Sequence, residues 1–430
     1  MTLPVTKPPR RLRWWHLGLA AALVAGAVLR LAWVRDMEYK WDEVYMFERT
    51  RDVGVAEPWP WLGMPSGVNL RNPGLSVWVF LVPGKLLGGA EDPTVLARIP
   101  QLTSIAALLF LVHFALRRVE EGEREAWLWG VALAAVNPTC LVLHRKIWAQ
   151  SALAPFSVLM LAGWWARRAR WGAFLWGLVG VLSGQVHLSG FFFAAAFALW
   201  TALFDRKSVR WGCWLAGSLL GALPMVPWLA YLAAAPSSDW PDSNRWANWV
   251  GQRFWFFWLI EPLGLGIYDP LLRHFWEYLT YPVIGGRPTY LAGAAYATAA
   301  LVGVAAYSRG ALRLWRQRPF FRELGAGERS STRLALGAAL WGFGLLLTAS
   351  GAIVHRHYWL VLFPLGFVWL ARLALAGAGG PAAPARGRAL LLTLFVAQLV
   401  LSATFLVYIH ANQGAPRGWY GTAYGAQRLD

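Results

Sequence analysis

Asp42 and Glu43, in the stretch Tyr39 to Tyr45, lie just past the end of the first membrane-length apolar run. A carboxylate there can act as a general base, taking a proton from an acceptor hydroxyl or amine within ~3 Å. Four cationic or ring-bearing groups recur at comparable positions. Arg71 stands before Asn72-Pro73-Gly74, His144-Arg145-Lys146 follows an apolar run, His187 interrupts another, and His355-Arg356-His357-Tyr358 separates two more. Arg, Lys and ring donors near a headgroup plane can neutralise a phosphate and the charge that develops on a leaving group. Each group also has a plainer reading: a solvated loop acid, a Pro-Gly turn opening a helix, cations snorkelling to lipid, a satisfied structural histidine. Ionisable residues that gather at one membrane face favour function over the plain reading.

The elements that must carry these residues are apolar helices. Of the 430 residues 57% are apolar, 29 are Trp and only 14% are charged, against roughly 25% charged in soluble domains. Runs of about 20 apolar residues recur, each long enough for a ~30 Å hydrocarbon core. Spans are expected at about 14–34, 97–116, 127–143, 149–165, 172–186, 189–204, 211–234, 288–307, 334–353, 357–376 and 389–409. The stretch 172–204 is too long for one crossing, and Gly184-Gln185-Val186-His187 in its middle predicts a tight hairpin of two short spans. The chain is therefore read as an all-α polytopic membrane protein with about 11 spans.

The net charge of +18 does not point to nucleic acid, because its distribution is an orientation signal. Basic residues gather at 7–13, Arg117/Arg118/Arg124, Arg167/Arg168/Arg170, Arg206/Lys207/Arg210, the arginine-rich 309–333 and Arg386/Arg388, all on one side of the membrane if 172–204 crosses twice. The positive-inside rule puts that side and the N-terminus in the cytoplasm. The first apolar run continues past Ala27 to Val34, so it reads as a span and not as a cleaved leader. Two long segments, 35–96 and 235–287, and a tail at 410–430 then face outward. Leu75–Val82 and Phe254–Ile260 are too short to span and read as helices lying in the interface. The aromatic residues of the second segment (Trp240, Trp246, Trp249, Trp255, Trp258, Trp276, Tyr278, Tyr281) read as an interface belt. Residues 376–384 form a small-residue turn. Cys140 and Cys213 both lie in apolar runs, and no Cys or His spacing suggests a metal; outer-face acids leave a divalent cation possible without arguing for it.

The order of these pieces resembles the GT-C membrane glycosyltransferases. The pieces are Asp-Glu after the first span, an Asn-Pro-Gly-Leu turn into an interfacial helix, Ala-Arg-Ile-Pro entering span two, Arg-Lys-Ile-Trp entering span four, a Gln-Val-His-Leu hairpin and a late Arg-His-Tyr. They are most similar to the bacterial branch of glycosyltransferase family 39, related to protein O-mannosyltransferases and the aminoarabinose transferase of lipid A. The likeness covers roughly 14–376. It implies a single GT-C bundle with interfacial helices in the first outer loop, in a bacterial cytoplasmic membrane. It also implies inverting transfer of a sugar from a polyprenyl phosphate to an envelope acceptor (glycolipid, glycan or protein) at the outer face. The family's loop-one acid maps onto Asp42, with Glu43 beside it. Donor-phosphate contacts map onto Arg71, Arg145, Lys146, Arg356, His357 and Tyr358, with Asn72 and His187 as further substrate-site candidates. Relatives often carry a basic residue directly before Pro-Pro, where this chain has Asn72-Pro73-Gly74. No Gly-rich phosphate loop supports a nucleotide-sugar donor. The competing classes are a lipid-linked sugar flippase, expected to show paired repeats and midplane charges, and a polysaccharide polymerase or ligase.

Overall fold

The computed structural model describes residues 11–65, 70–88, 91–235, 253–317, 330–376 and 383–427. Lys7, Arg10, Trp240, Trp246, Trp249, residues 318–329 of the 309–333 loop and residues 377–382 of the 376–384 turn lie outside the described residues.

Helices cover all eleven expected apolar stretches. In chain order the first eleven helices are α1 (Arg11–Leu31), α2 (Trp41–Asp52), α3 (Leu75–Leu86), α4 (Pro93–Arg118), α5 (Glu121–Val136), α6 (Pro138–Leu143), α7 (Leu153–Trp165), α8 (Arg170–Val186), α9 (Ser189–Phe204), α10 (Trp211–Ala222) and α11 (Val226–Ala234). By length and composition, five described helices suffice to cross a membrane: Pro93–Arg118, Trp211–Ala234, Leu291–Leu312, Ser331–Ser350 and Pro384–Ala411. A sixth is available if Arg356–Leu362 and Leu365–Leu375, bent by 76°, form one broken span.

The other stretches are shorter than the expected continuous spans for identifiable reasons. Asn137 ends α5 and caps α6, its Oδ1 accepting the Cys140 N–H at 3.0 Å, and Pro138 occupies the first position of the new helix. The start of the fourth stretch is a 3-10 turn, Ala149–Ala152, so α7 begins only at Leu153. The predicted hairpin in 172–204 is present as α8 and α9, with His187 and Leu188 between them.

Lipid gives apolar helices no reason to cohere, so close backbone approach and interhelical hydrogen bonds must do it. The packing of α8 against α10 is built this way: a Cβ on Gly177 would collide with the Trp214 carbonyl, and one on Gly217 with the Phe174 carbonyl. Many tryptophans pack inside the bundle. Trp127 and Trp164 are fully buried and donate to Thr332 Oγ1 at 3.0 Å and Thr201 Oγ1 at 2.8 Å. Buried Trp258 and Tyr278 likewise belong to the core, which corrects their assignment to an interface belt; Trp276 is 74% exposed.

The connecting segments separate into two groups, one at each end of the bundle. In one group, Arg167 meets Asp205 at 2.5 Å, Arg372 meets Glu123 at 2.7 Å and Arg388 meets Glu125 at 2.6 Å. In the other, the segment after α1, the 144–148 turn, the α8–α9 hairpin and the 355–358 segment touch one another. The tail folds back onto this second group. Tyr424 N–H donates to the Met37 carbonyl at 3.0 Å, Gln427 Nε2 to the Tyr39 carbonyl at 2.8 Å, and Tyr420 N–H to the Pro270 carbonyl at 2.9 Å. The stretch 410–427 is thus a brace between both long segments.

Candidate functional site

The acidic pair is positioned by the start of α2. Glu38 precedes this helix and sits in a β-bridge to Ala423. Glu43 falls three positions after Lys40, the residue before the helix, and accepts the Lys40 backbone N–H at 3.2 Å. This is the carboxylate half of a capping box, and it satisfies a donor the helix leaves open. Glu43 is buried, whereas Asp42 is half-exposed. Asp42 accepts a hydrogen bond from the Trp148 indole N–H. The two neighbouring acids therefore do different work: Glu43 holds the turn, and Asp42 faces the adjoining segments.

Lys146 reaches the same place from the turn after α6. Its ammonium pairs with buried Glu38 and lies 4.8 Å from the centre of the Trp148 ring. Glu38 also pairs with Lys40 at 2.6 Å. His357 stands edge-on to Trp148 at 4.8 Å and to His187 at 5.2 Å; Tyr358 meets His187 at 5.0 Å. Of the residues predicted from sequence, the structure thus joins Asp42, Lys146, His187, His357 and Tyr358, drawn from four separate segments, with Glu43 beneath them. Each of the five is partly exposed, so the cluster borders open space.

The electrostatics follow from burial and crowding. Burial raises the Asp42 pKa above the usual carboxylate range, against the Trp148 hydrogen bond and Lys146, which lower it. Glu43 is also raised, first by burial and then by Glu38. Burial works against the Lys146 ammonium, yet Glu38, Glu43 and Asp42 outweigh it and hold its pKa above the ordinary lysine value. Burial pushes His187 down to about 3, helped by His355, so it is neutral at physiological pH. Its Nδ1 is 2.7 Å from Ser189 Oγ. The cluster therefore offers carboxyls of raised proton affinity, a firm lysine cation and a neutral imidazole.

Four predicted residues lie elsewhere. Arg145 is buried, and its guanidinium donates to the carbonyls of Leu29, Arg30 and Ala32 at 2.9, 2.9 and 2.6 Å and of Trp33 at 2.9 Å. It closes the C-terminal end of α1, where open carbonyls and the helix dipole favour a cation; a donor phosphate would have to displace these bonds. Arg356 pairs with fully buried Glu261 at 2.7 Å and approaches Asp269 at 3.7 Å, between the rings of Phe257 and Tyr268. It points away from its neighbour His357 toward the second long segment. Burial pushes Glu261 up to about 7 despite Arg356. Asn72 donates to the Met64 carbonyl at 3.0 Å, across the small antiparallel pairing of Leu62–Pro65 with Arg71–Pro73. Arg71 docks through its backbone, its carbonyl accepting from Trp228 Nε1 at 2.8 Å; no contact among the described residues joins its guanidinium to the cluster.

Sequence reasoning missed Glu38 as the counter-ion of Lys146, Trp148 as the donor to Asp42, and Glu261. Glu261 had a signal, an acid closing an apolar run. Glu38 and Trp148 had none beyond proximity to the motifs. Among the described residues, no three His, Cys, Asp or Glu side chains are arranged to hold a metal. Lys146 itself occupies the position between the acids.

The helical arrangement has a counterpart among solved membrane-protein structures. It is similar to the crystal structure of the Archaeoglobus fulgidus oligosaccharyltransferase in the apo form, with a TM-score of 0.52 and 14% identity over 91% of this chain and 56% of that one. The archaeal oligosaccharyltransferase AglB from the same organism, in complex with an inhibitory peptide and a dolichol-phosphate, is similar with a TM-score of 0.46, at 14% identity over 91% of this chain and 56% of that one. The chain spans only about half the length of these structures. No family model and no curated protein matches the sequence. At this identity the likeness defines the fold: an all-α, multi-pass membrane protein of GT-C type.

Proposed function

We propose that the chain is an inverting glycosyltransferase that moves a hexose or pentose from a polyprenyl phosphate to an acceptor at the outer face of a bacterial cytoplasmic membrane. Its sequence motifs favour the branch related to protein O-mannosyltransferases and the aminoarabinose transferase. The observation that carries the reading is the meeting of Asp42 with Lys146, through Trp148, beside His187, His357 and Tyr358. A base and a cation so close, within a GT-C fold, suit a single displacement.

In that step Asp42 accepts the acceptor's proton as its oxygen or nitrogen bonds to the anomeric carbon. The bond from that carbon to the phosphate oxygen breaks, and the phosphate leaves with the electron pair. Lys146, with N–H donors beyond the one directed at Glu38, meets the departing charge. Neutral His187 and His357 and the Tyr358 hydroxyl supply hydrogen bonds without adding charge. Glu43 is a positioning residue that fixes the first turn of α2. Arg145 is assigned to closing α1. Arg71, Asn72 and Arg356 are left with supporting roles at the edge of the site. The outer location rests on the positive-inside pattern, since the site's segments lie opposite the arginine-rich ones.

The direct test is mass spectrometry of lipid extracts and envelope glycans from cells with and without the protein. The reading expects a polyprenyl-phosphate sugar to accumulate without it, and one glycan or glycolipid to lose a sugar. Unchanged lipid and glycan profiles would sink it. Loss of a whole polymer in place of one sugar would favour a polymerase or ligase.

A further inference from the structure

The catalytic cluster uses one flank of α2, and a different face of the same helix borders a cavity. Trp41, Val44, Tyr45 and Glu48 recur at i, i+3, i+4 and i+7, so they share one side of the helix. With Tyr39, Lys40 and Gln427 of the tail they line a cavity of about 590 Å³, a size typical of small-molecule sites. Nothing in the proposed displacement uses it.

Its lining combines large ring faces with hydrogen-bonding groups, and the one lysine among them is already engaged. Trp41 is 88% exposed, an indole held in the open without a ring partner among the described residues. Tyr39 is fixed by edge-on contact with Tyr424 at 4.9 Å. Gln427 Nε2 donates to the carbonyls of Tyr39 at 2.8 Å and Thr422 at 2.9 Å, which orients the amide and leaves its oxygen as an acceptor. Lys40 pairs with Glu38 at 2.6 Å, sharing that carboxylate with Lys146, and also donates to the Trp419 carbonyl, so its ammonium is already engaged. The remaining formal charge is the exposed Glu48 carboxylate. An anionic headgroup or phosphate would therefore meet no free cation here. A pyranose fits better: its C–H face stacks on an aromatic ring, and its hydroxyls donate to a carboxylate and an amide oxygen.

We propose that this groove holds the acceptor, and that the acceptor is an uncharged or amino-bearing carbohydrate. Trp41 and Asp42 are consecutive in the first turn of α2, about 100° apart round the helix, so an acceptor with one sugar stacked on the indole has to extend only round that turn to reach the base. The lipid-linked donor then approaches from the Lys146 side and the acceptor from the Trp41 side, with Asp42 between them. The tail has a definite part in this: it supplies Gln427 and pins Tyr39. The proposal rests on the transferase reading but predicts binding that does not need turnover.

The test is saturation-transfer NMR of the full chain in lipid nanodiscs against a panel of neutral and amino mono- and disaccharide methyl glycosides. At least one glycoside should take up saturation on its ring C–H protons. Trp41→Ala should weaken that signal about three- to ten-fold, the worth of one aromatic stacking contact, Trp41→Phe should restore part of it, and Trp276→Ala should leave it unchanged. Melting curves matching wild type exclude misfolding of the Trp41 variants. Asp42→Asn should still bind. Absence of saturation across the panel, or a Trp41→Ala variant indistinguishable from wild type, overturns the groove. Glycoside binding that depends on Trp41 in a protein without transfer activity would leave the groove standing and remove the transferase. Transfer with an unchanged acceptor KM in Trp41→Ala would do the reverse.

Discussion

The two groups of connecting segments handle charge in opposite ways. In the arginine-rich group, acids and arginines pair one to one: Glu123 with Arg372, Glu125 with Arg388, Asp205 with Arg167. In the other, three acids (Glu38, Asp42 and Glu43) gather around buried Lys146, with Lys40 sharing Glu38 from the exposed side, and burial raises the pKa of both Asp42 and Glu43. One-to-one pairing settles charge and anchors loops. Burying neighbouring acids raises their proton affinity above that of an exposed carboxylate, which anchoring alone does not require. Perturbed groups of this kind concentrate where chemistry occurs.

The comparison can be broken by substitution, and the largest effect belongs to the base. Asp42→Asn should lower transfer by about 10²–10⁴-fold without a matching loss of donor binding, read by initial rates and donor KM. Because the base must be ionised, the wild-type rate should rise with pH through the pKa of Asp42, above the usual aspartate range. A flat profile across that window would argue against it. Next in size is stability at the second buried pair. Glu261→Ala strands Arg356 and should cost about 3–5 kcal/mol, seen as a large drop in melting temperature.

Glu261 also predicts a pH slope. Its folded pKa, about 7, lies above its ordinary value of 4.5, so the native state binds the extra proton. Its contribution is therefore complete below about pH 4.5 and is lost as pH rises through about 7. Glu261→Gln should remove that slope from the melting temperature; a slope that persists assigns it to other groups. Glu43→Gln is expected to be mild, about 1 kcal/mol or less, since Gln can serve the same capping position, with transfer kept within a few-fold. The smallest effect belongs to the arginine-rich group. Arg388→Ala, breaking an exposed pair, should change stability by about 0–1 kcal/mol and leave transfer unaltered.

Much of the fold was legible because hydrocarbon imposes simple rules. The long apolar runs, the His187 hairpin and the sharing of one end by Asp42, Lys146, His187 and His357 follow from length, composition and charge parity. Side-chain direction was not legible. Arg145 and Lys146 are adjacent and look interchangeable in sequence; one turns to the carbonyls ending α1 and the other to Glu38, a choice set by which element each faces. Arg356 and His357 diverge for the same reason, toward Glu261 and toward Trp148. Asp42 and Glu43 separate only once the helix is seen to start at Trp41, which makes Glu43 the cap. The brace formed by 410–427 depends on backbone hydrogen bonds to 37–39, which carry no side-chain signature.

The most direct test of the central claim sets these two acids against each other in one experiment. Single-turnover transfer from a purified polyprenyl-phosphate sugar would be measured for wild type, Asp42→Asn and Glu43→Gln, with donor binding determined in parallel. The account predicts that Asp42→Asn binds donor but leaves it unconsumed, while Glu43→Gln turns over within a few-fold of wild type. Turnover by Asp42→Asn at the wild-type rate would contradict it, and loss confined to Glu43→Gln would move the base to the buried acid.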